Sequence, residues 1–89
     1  MTRRVVWKYQ LALGSTVVPM PKDSDVLTVA EQHGAVCLWA LVDRDAPMVQ
    51  RTFRVVATGE PFDAADLVFT GTVLMQGGAF VVHVFEVWP

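Results

Sequence analysis

The chain has 89 residues, of which 53% are hydrophobic and 18% are charged, and its formal net charge is −2. This length corresponds to one domain, residues 1–89, and so small a domain has too much surface to bury all of its apolar side chains. We therefore expect a homo-oligomer in which a second chain covers part of that surface. The weakly negative charge and the scattered Lys and Arg residues argue against binding of nucleic acid through its phosphates.

The single cysteine, Cys37, excludes an intrachain disulfide and fits a reducing compartment. Because Cys37 lies inside an apolar run, we expect a buried side chain rather than a reactive thiol. The basic pair Arg3-Arg4 is not followed by a signal-peptide pattern, and no apolar run reaches the roughly 18 residues of a transmembrane helix. These features predict a cytoplasmic protein that does not bind a membrane.

The first segment, residues 5–13, alternates between apolar and polar side chains, which predicts a half-buried strand. Gly14-Ser15 then suits a two-residue turn. Residues 16–20 are expected to return along the first strand and to pair Leu11 with Val18. Pro19 has no N–H group to donate, so this second strand is predicted to be an edge.

The apolar run over residues 35–42 predicts a central strand that is buried on both faces. A third strand, residues 26–32, precedes it across the turn His33-Gly34. This turn sets a register that aligns Leu27 with Ala40, Thr28 with Trp39, Val29 with Leu38, and Ala30 with Cys37.

A fifth strand, residues 49–58, is predicted to lie beside the central strand with Leu38 opposite Phe53. Residues 63–66 can form one helical turn capped by Asp63. Residues 67–75 and 79–88 form the last hairpin around Gly77-Gly78. Its register aligns Thr70 with Phe85, Thr72 with His83, Val73 with Val82, Leu74 with Val81, and Met75 with Phe80. Glu86 is expected near a sheet end or paired with an arginine.

These segments predict an all-β fold of seven short antiparallel strands that are joined mostly by hairpins. The periodicity fits a β-sandwich and a small flattened barrel equally well. The sequence carries no catalytic, metal or nucleotide-binding motif, so we expect neither an enzyme nor a cofactor.

Several short motifs nevertheless form a familiar set along the chain. They are Trp7-Lys-Tyr, Met20-Pro-Lys22, Cys37-Leu-Trp-Ala-Leu-Val-Asp43, Arg51-Thr-Phe-Arg54, Thr58-Gly59, Gly71-Thr72, Gly77-Gly78 and His83-Val-Phe-Glu86. Together they resemble a family of short, uncharacterised proteins from bacteriophage genomes and prophages. The resemblance covers nearly the whole chain, although Glu60 stands where the family pattern often has a histidine after Thr-Gly. It implies a phage-encoded protein that acts in the host cytoplasm or in a virion.

The predicted register places Trp39, Arg54, Thr52 and Thr28 on one mixed sheet face. Such a face could stack on a planar ring and clasp an anion, or anchor a protein partner through Trp and Arg. The alternative is that this face packs on a second sheet, with the Arg54 head reaching water. His83 is a further candidate for a ligand or interface contact, although a histidine bonded to Thr72 is the simpler interpretation.

Two other groups of polar residues could form a functional site, but each also has a simpler explanation. Loops 23–25 and 43–45 are predicted to be neighbours, so Asp23, Asp25, Asp43 and Asp45 are weak candidates for a hard cation such as Ca²⁺. Aspartate is also a preferred turn residue, which explains these positions without a metal. His33 and Glu60 could form an acid–base pair at the opposite end, but a turn histidine and a solvated glutamate explain them equally.

Two function classes remain. The first is a non-enzymatic interaction or assembly protein, whose apolar sheet face forms a homo-oligomer or binds a host or phage protein. The second is a small-ligand protein that binds or sequesters a nucleotide-like molecule with the Trp39 and Arg54 face. A concave pocket with Arg and Trp would favour the second, and a flat apolar face would favour the first.

Overall fold

The computed structural model describes residues 3–88 and confirms the all-β prediction. The described part of the chain forms seven strands, and its only helical segment is a short 3₁₀ turn at Gln76–Gly78. No helix in it is long and apolar enough to cross a membrane. The strands are β1 Val5–Leu11, β2 Gly14–Pro21, β3 Asp25–Gln32, β4 Ala35–Val42, β5 Met48–Ala57, β6 Leu67–Met75 and β7 Phe80–Val87.

The strands form two antiparallel sheets that pack face to face as a sandwich rather than a closed barrel. The three-stranded sheet has the order β1-β4-β3, and the four-stranded sheet has the order β2-β5-β7-β6. The central place of β4 in its sheet confirms the prediction of a central strand, but burial on both faces is only partly confirmed, because Trp39 and Leu41 on the outer face are half-buried. The sandwich resolves the choice that periodicity alone left open.

The core lies between the inner faces of the two sheets. In β4 the alternate residues Val36, Leu38, Ala40 and Val42 point inward and are at most 4% exposed. The four-stranded sheet supplies Phe53, Val55, Val82 and Val84, which are at most 1% exposed. Because side chains alternate along a strand, the residues that stand between these positions lie on the two outer faces.

The predicted first hairpin is wrong. β1 pairs with β4, with Tyr9 opposite Leu38, whereas β2 pairs with β5, with Val18 opposite Arg51. Ala12 and Leu13 therefore carry the chain from one sheet to the other, and the Ala12 N–H donates to Thr16 Oγ1 at 3.1 Å. The prediction that the second strand is an edge is confirmed, since β2 lies at the end of its sheet.

The predicted pairing of the fourth and fifth strands is also wrong. Leu38 and Phe53 lie in different sheets, and both are fully buried because they enter one core from opposite sides. The connection between β4 and β5 therefore crosses the sandwich, as the connection between β2 and β3 does. The two crossings are tied together where the Lys22 N–H donates to the Pro47 carbonyl at 2.8 Å.

The two hairpins predicted around His33-Gly34 and Gly77-Gly78 are confirmed. Thr28 pairs with Trp39, Val29 with Leu38, and Thr72 with His83, as predicted. In the first turn, His33 and Gly34 have φ values of 53° and 80°, the positive values that a tight hairpin turn requires.

Two bulges shift the ends of these hairpins from the predicted register. Leu27 is bulged out and is 53% exposed, so that Val26 instead of Leu27 pairs with Ala40. Thr70 is bulged in β6, which places Phe69 instead of Thr70 opposite Phe85. An interior bulge changes every pairing beyond it, and for this reason each register holds only on the turn side of its bulge.

The helical turn predicted over residues 63–66 is absent, and a non-helical turn takes its place. Asp63 still accepts a local hydrogen bond, because its Oδ1 lies 3.0 Å from the Ala65 nitrogen. Asp66 has a φ of 61°, which takes the chain out of the right-handed helical region.

We expect Leu38→Ala to lower the free energy of unfolding by roughly 2–5 kcal/mol, because it opens a cavity in a closed core. Leu38 has no exposed surface. Arg44→Ala, in the exposed β4–β5 connection, is the control and is expected to change it by less than about 0.5 kcal/mol. Chemical denaturation measures both values. Similar losses for the two variants would contradict the position of β4 at the centre of the core.

Candidate functional site

The five candidate residues from the sequence do not share one face. Trp39 and Thr28 lie on the outer face of the three-stranded sheet, where they pair with each other. Thr52, Arg54 and His83 lie on the outer face of the four-stranded sheet. The prediction that Trp39 and Arg54 share one mixed face is therefore wrong, because it depended on a pairing of β4 with β5 that does not occur.

A side-chain hydrogen bond spans the outer face of the three-stranded sheet. Lys8 Nζ donates to Gln32 Oε1 at 2.7 Å, although these residues lie on the two edge strands of the sheet. Lys8 pairs with Trp39 and Gln32 pairs with Ala35, so the bond passes across the row of Cys37. Cys37 is only 3% exposed, as predicted for an inert thiol.

The outer face of the four-stranded sheet carries three phenylalanine rings in contact, here called the aromatic cluster: Phe62, Phe69 and Phe85. The ring centroids of Phe62 and Phe85 are 5.3 Å apart, and those of Phe69 and Phe85 are 5.6 Å apart. Both separations lie within the range of favourable aromatic pairs. The bulge at Thr70 creates the second pair, since it places Phe69 opposite Phe85.

Sequence reasoning missed both outer members of the cluster. Phe62 lies in the β5–β6 connection, and no periodic pattern marks a loop residue that folds back over a sheet. For Phe69 a signal was present in Gly71, because a glycine inside a strand often marks a bulge or a close approach. A Cβ at Gly71 would lie 2.5 Å from Val29 Cγ2, so β6 approaches β3 too closely there for a side chain.

Arg54 lies beside this cluster. Its Cζ atom is 6.0 Å from the centre of the Phe62 ring, a cation–π distance. Its Nε is buried and has no hydrogen-bond partner in residues 3–88, and the two ion pairs of that part of the chain involve other arginines. Arg54 thus brings an uncompensated positive charge to the edge of the aromatic cluster.

His83 lies on the same outer face between two threonines. Its Nε2 is 2.8 Å from Thr58 Oγ1, and its Nδ1 is 3.0 Å from Thr72 Oγ1. Both ring nitrogens are therefore engaged, as the interpretation of a satisfied histidine requires. The Thr58 contact also fixes the start of the β5–β6 connection, because the Thr58 N–H donates to the Val81 carbonyl at 3.0 Å.

The outer members of this face are exposed. Phe69 is 59% exposed, and Leu74, on the same face of β6, is 65% exposed. We call the aromatic cluster together with Leu74 and Arg54 the aromatic patch. Val56 faces the same way but is only 1% exposed, so one part of this sheet face is covered whereas the β6 part is open.

A second polar site closes one end of the sandwich. Arg51 Nε and Nη2 donate to the two carboxylate oxygens of Glu86 at 2.5 and 2.7 Å, and Nη1 donates to the Ser24 carbonyl at 2.6 Å. The hydrogen bonds to Glu86 raise the pKa of the Arg51 guanidinium against the opposing effect of burial. The ion pair confirms the expectation that Glu86 is paired with an arginine at a sheet end.

Arg51 and Glu86 form part of the lining of a cleft of about 450 Å³. Lys22, Asp23 and Trp88 also line it, and Trp88 is 60% exposed. Because the Glu86 carboxylate and the Ser24 carbonyl already occupy three N–H groups of Arg51, this arginine ties the β2–β3 connection to β7. The arrangement is that of a structural clamp at the end of the sandwich.

Tyr9 lies on the inner face near this clamp. Its hydroxyl is buried and has no hydrogen-bond partner in the described part of the chain. Burial raises the pKa of Tyr9 above its ordinary value of 10.0, although the positive charge of Arg51 partly opposes the rise.

The aspartates considered as cation ligands do not form a metal site. The two loops are neighbours, as predicted, since Asp23 and Asp43 line one shallow depression with Lys22 and Pro47. Among residues 3–88, however, no group of three or more His, Cys, Asp or Glu side chains could hold a metal ion. Asp25 instead pairs with Arg4 at 2.6 Å, and Asp43 accepts from the Asp45 N–H at 3.0 Å.

The acid–base pair considered for His33 and Glu60 has no support in the contacts. Glu60 Oε1 accepts from the Ala57 N–H at 3.1 Å, which makes it a local cap at the end of β5. The side-chain hydrogen bonds of residues 3–88 include none between His33 and Glu60.

Comparison with known proteins gives one match. The model of a family described as domain of unknown function DUF7352 matches residues 1–89, the whole chain. No curated protein and no solved structure matches significantly. The resemblance to an uncharacterised family over the chain is thus confirmed in its coarse form, and the phage origin that it implies stays a prediction.

We expect Glu86→Ala to lower the free energy of unfolding by roughly 1–3 kcal/mol, because it leaves the half-buried Arg51 without its carboxylate. Asp25→Ala is the matched control, since it removes the carboxylate of an ion pair whose side chains are 39% and 64% exposed. That change is expected to cost less than about 0.5 kcal/mol. Urea denaturation compares the two, and equal losses would contradict the clamp.

Tyr9→Phe is expected to leave the free energy of unfolding at pH 7 unchanged or to raise it by up to about 1 kcal/mol, because the buried hydroxyl has no partner. Because the pKa of Tyr9 is raised in the folded protein, the unfolded chain loses the Tyr9 hydroxyl proton at a lower pH than the folded protein does. The wild-type protein therefore loses stability as the pH rises past 10.0, and Tyr9→Phe loses less. Parallel denaturation curves from pH 8 to about 11 test this; identical pH dependence of the two proteins would contradict it.

Proposed function

We propose that this chain, which belongs to the DUF7352 family, is a non-enzymatic interaction protein that forms a homo-oligomer through its aromatic patch. The observation that carries the proposal is the contact of three phenylalanine rings outside the core, the outermost of which, Phe69, is 59% exposed. Aromatic residues and arginine are the residue types that are enriched at protein interfaces.

The aromatic patch lies on a sheet face, outside the two clefts described above, which favours a protein surface over a small molecule as its partner. The small-ligand alternative required Trp39 and Arg54 on one face, and these residues lie in different sheets. The cleft that does contain an arginine and a tryptophan, Arg51 and Trp88, has the Arg51 N–H groups already bonded to Glu86 and Ser24. His83 supports a non-enzymatic role, because threonine hydroxyls contact both of its ring nitrogens.

Charge supports a second copy of the same chain as the partner. Arg54 brings an unpaired positive charge, while the β5–β6 connection, which supplies Phe62, also carries Asp63 and Asp66 as exposed carboxylates. In a two-fold interface each surface meets its own copy, so that Arg54 of one chain can meet a carboxylate of the other. A patch with both signs at its border can therefore pair with itself.

The proposed origin and compartment of the protein rest on the sequence. The resemblance to phage and prophage proteins supports a phage-encoded protein, and the lone buried Cys37 supports the host cytoplasm as its compartment. Within this proposal, a host or phage protein is a further partner of the oligomer.

Light scattering at micromolar concentration tests the proposal. The wild-type protein is expected to have a mass that is a multiple of 9.8 kDa. Phe69→Ser is expected to raise the dissociation constant of the interface by about tenfold or more, as loss of an aromatic anchor does.

The matched control is Leu13→Ser, which changes a residue of 62% exposure in the β1–β2 connection that does not belong to the aromatic patch. It is expected to keep the wild-type mass. A wild-type mass of a single chain, or equal effects of the two variants, would contradict the proposed interface.

A further inference from the structure

We propose that β1 is a second assembly site, at which it pairs antiparallel with β1 of another copy and joins two three-stranded sheets into one of six strands. This interface is separate from the aromatic patch, which lies on the other sheet. The inference does not depend on the proposed function.

The sandwich has four edge strands: β1 and β3 in one sheet, and β2 and β6 in the other. An edge strand presents unpaired N–H and C=O groups, and proteins block such edges with proline, bulges or coverage. β2 contains Pro19 and Pro21, which lack N–H groups. β3 and β6 each contain a bulge and lie against each other, with Gly71 in contact distance of Val29.

β1 has none of these protections. Its seven residues pair with β4 without a shift of register, and the strand contains neither proline nor glycine. β4 is the only strand with extensive contacts to it. One side of the β1 backbone pairs with β4. None of the turn, loop and side-chain hydrogen bonds of residues 3–88 involves a backbone group of β1, so the outer edge of the strand is open to another strand.

The charge that could guard this edge is directed away from it. A lysine on an edge strand normally discourages pairing. Lys8 is the only charged residue of β1, and its Nζ is held by Gln32 on the far side of the sheet. Two large apolar side chains of β1 remain exposed: Val6 is 53% exposed and Trp7 is 37% exposed.

The strand is complementary to itself. In an antiparallel pair centred on Trp7, Val6 of each copy lies opposite Lys8 of the other, and Val5 lies opposite Tyr9. No two like charges then face each other directly, and the apolar side chains on both sides of the strand are covered. A second copy of this chain therefore fits the edge without any change of conformation.

Two different two-fold interfaces on one protomer generate assemblies larger than a dimer. They close into a ring of dihedral symmetry or continue as a filament, depending on the angle between their axes. With both interfaces present, the protein is expected to exceed the mass of a dimer.

The test compares Val6→Lys with the matched control Leu27→Lys. Both residues are 53% exposed and lie on edge strands of the same sheet, but Leu27 sits in the bulge of β3. Val6→Lys is expected to weaken the β1 interface by about tenfold or more and to lower the mass measured by light scattering. Leu27→Lys is expected to keep the wild-type mass; equal masses for wild type and a folded Val6→Lys would overturn the proposal.

Two further measurements separate this interface from the aromatic patch. In Phe69→Ser, which removes the patch, amide hydrogen exchange in β1 is expected to become faster on dilution, because the β1 pair dissociates. Exchange that does not depend on concentration there would overturn the β1 interface without any substitution in the strand. Conversely, a mass that falls in Val6→Lys but not in Phe69→Ser would support the edge and contradict the patch.

Discussion

The structure depends on one constraint, which is that two small sheets must close a single apolar layer between them. Leu38 and Ala40 from one sheet, and Phe53 and Val84 from the other, have no exposed surface. A domain of 89 residues has few other residues with which to form a core, so each strand must contribute its inward side chains. The chain crosses between the sheets at Ala12-Leu13, in the β2–β3 connection and in the β4–β5 connection. The hydrogen bond between Lys22 and Pro47 joins the last two connections, and the three crossings hold the sheets in place.

The sequence predicts the side of a strand better than it predicts the neighbours of that strand. Alternation along a strand is local, and it correctly assigned Leu38, Phe53 and Val55 to the core. The partner of a strand is a property of distant residues. Leu38 opposite Phe53 across the core satisfies the same pattern as Leu38 beside Phe53 in one sheet, so periodicity could not distinguish the two. The hairpins around His33-Gly34 and Gly77-Gly78 were predicted correctly because their short turns fix the partner as well as the side.

The candidate site shows the same division. The contact of Thr72 with His83 could be predicted, since a nearby turn sets the register. The prediction of a shared Trp39 and Arg54 face failed because the β4–β5 connection crosses to the other sheet instead of forming a hairpin. The aromatic cluster was missed for two reasons: Phe62 comes from a loop, and Phe69 reaches Phe85 only through a bulge. A loop fold and a one-residue insertion leave no periodic trace in the sequence.

The chain has more apolar side chains than its core can bury, and the remainder lie on the outer faces of the two sheets. Some of these outward-facing side chains are buried, and others are exposed. The Lys8–Gln32 bond crosses the row of Cys37, and the β5–β6 connection accompanies the burial of Val56. Phe62, from that connection, packs on Phe85, and Phe69 remains 59% exposed. The Lys8 amine is bonded to Gln32 across the other sheet, and Val6 in the same strand as Lys8 is 53% exposed. Contacts within the protomer therefore leave apolar side chains open on both sheets, and these are the surfaces that the two proposed interfaces would cover.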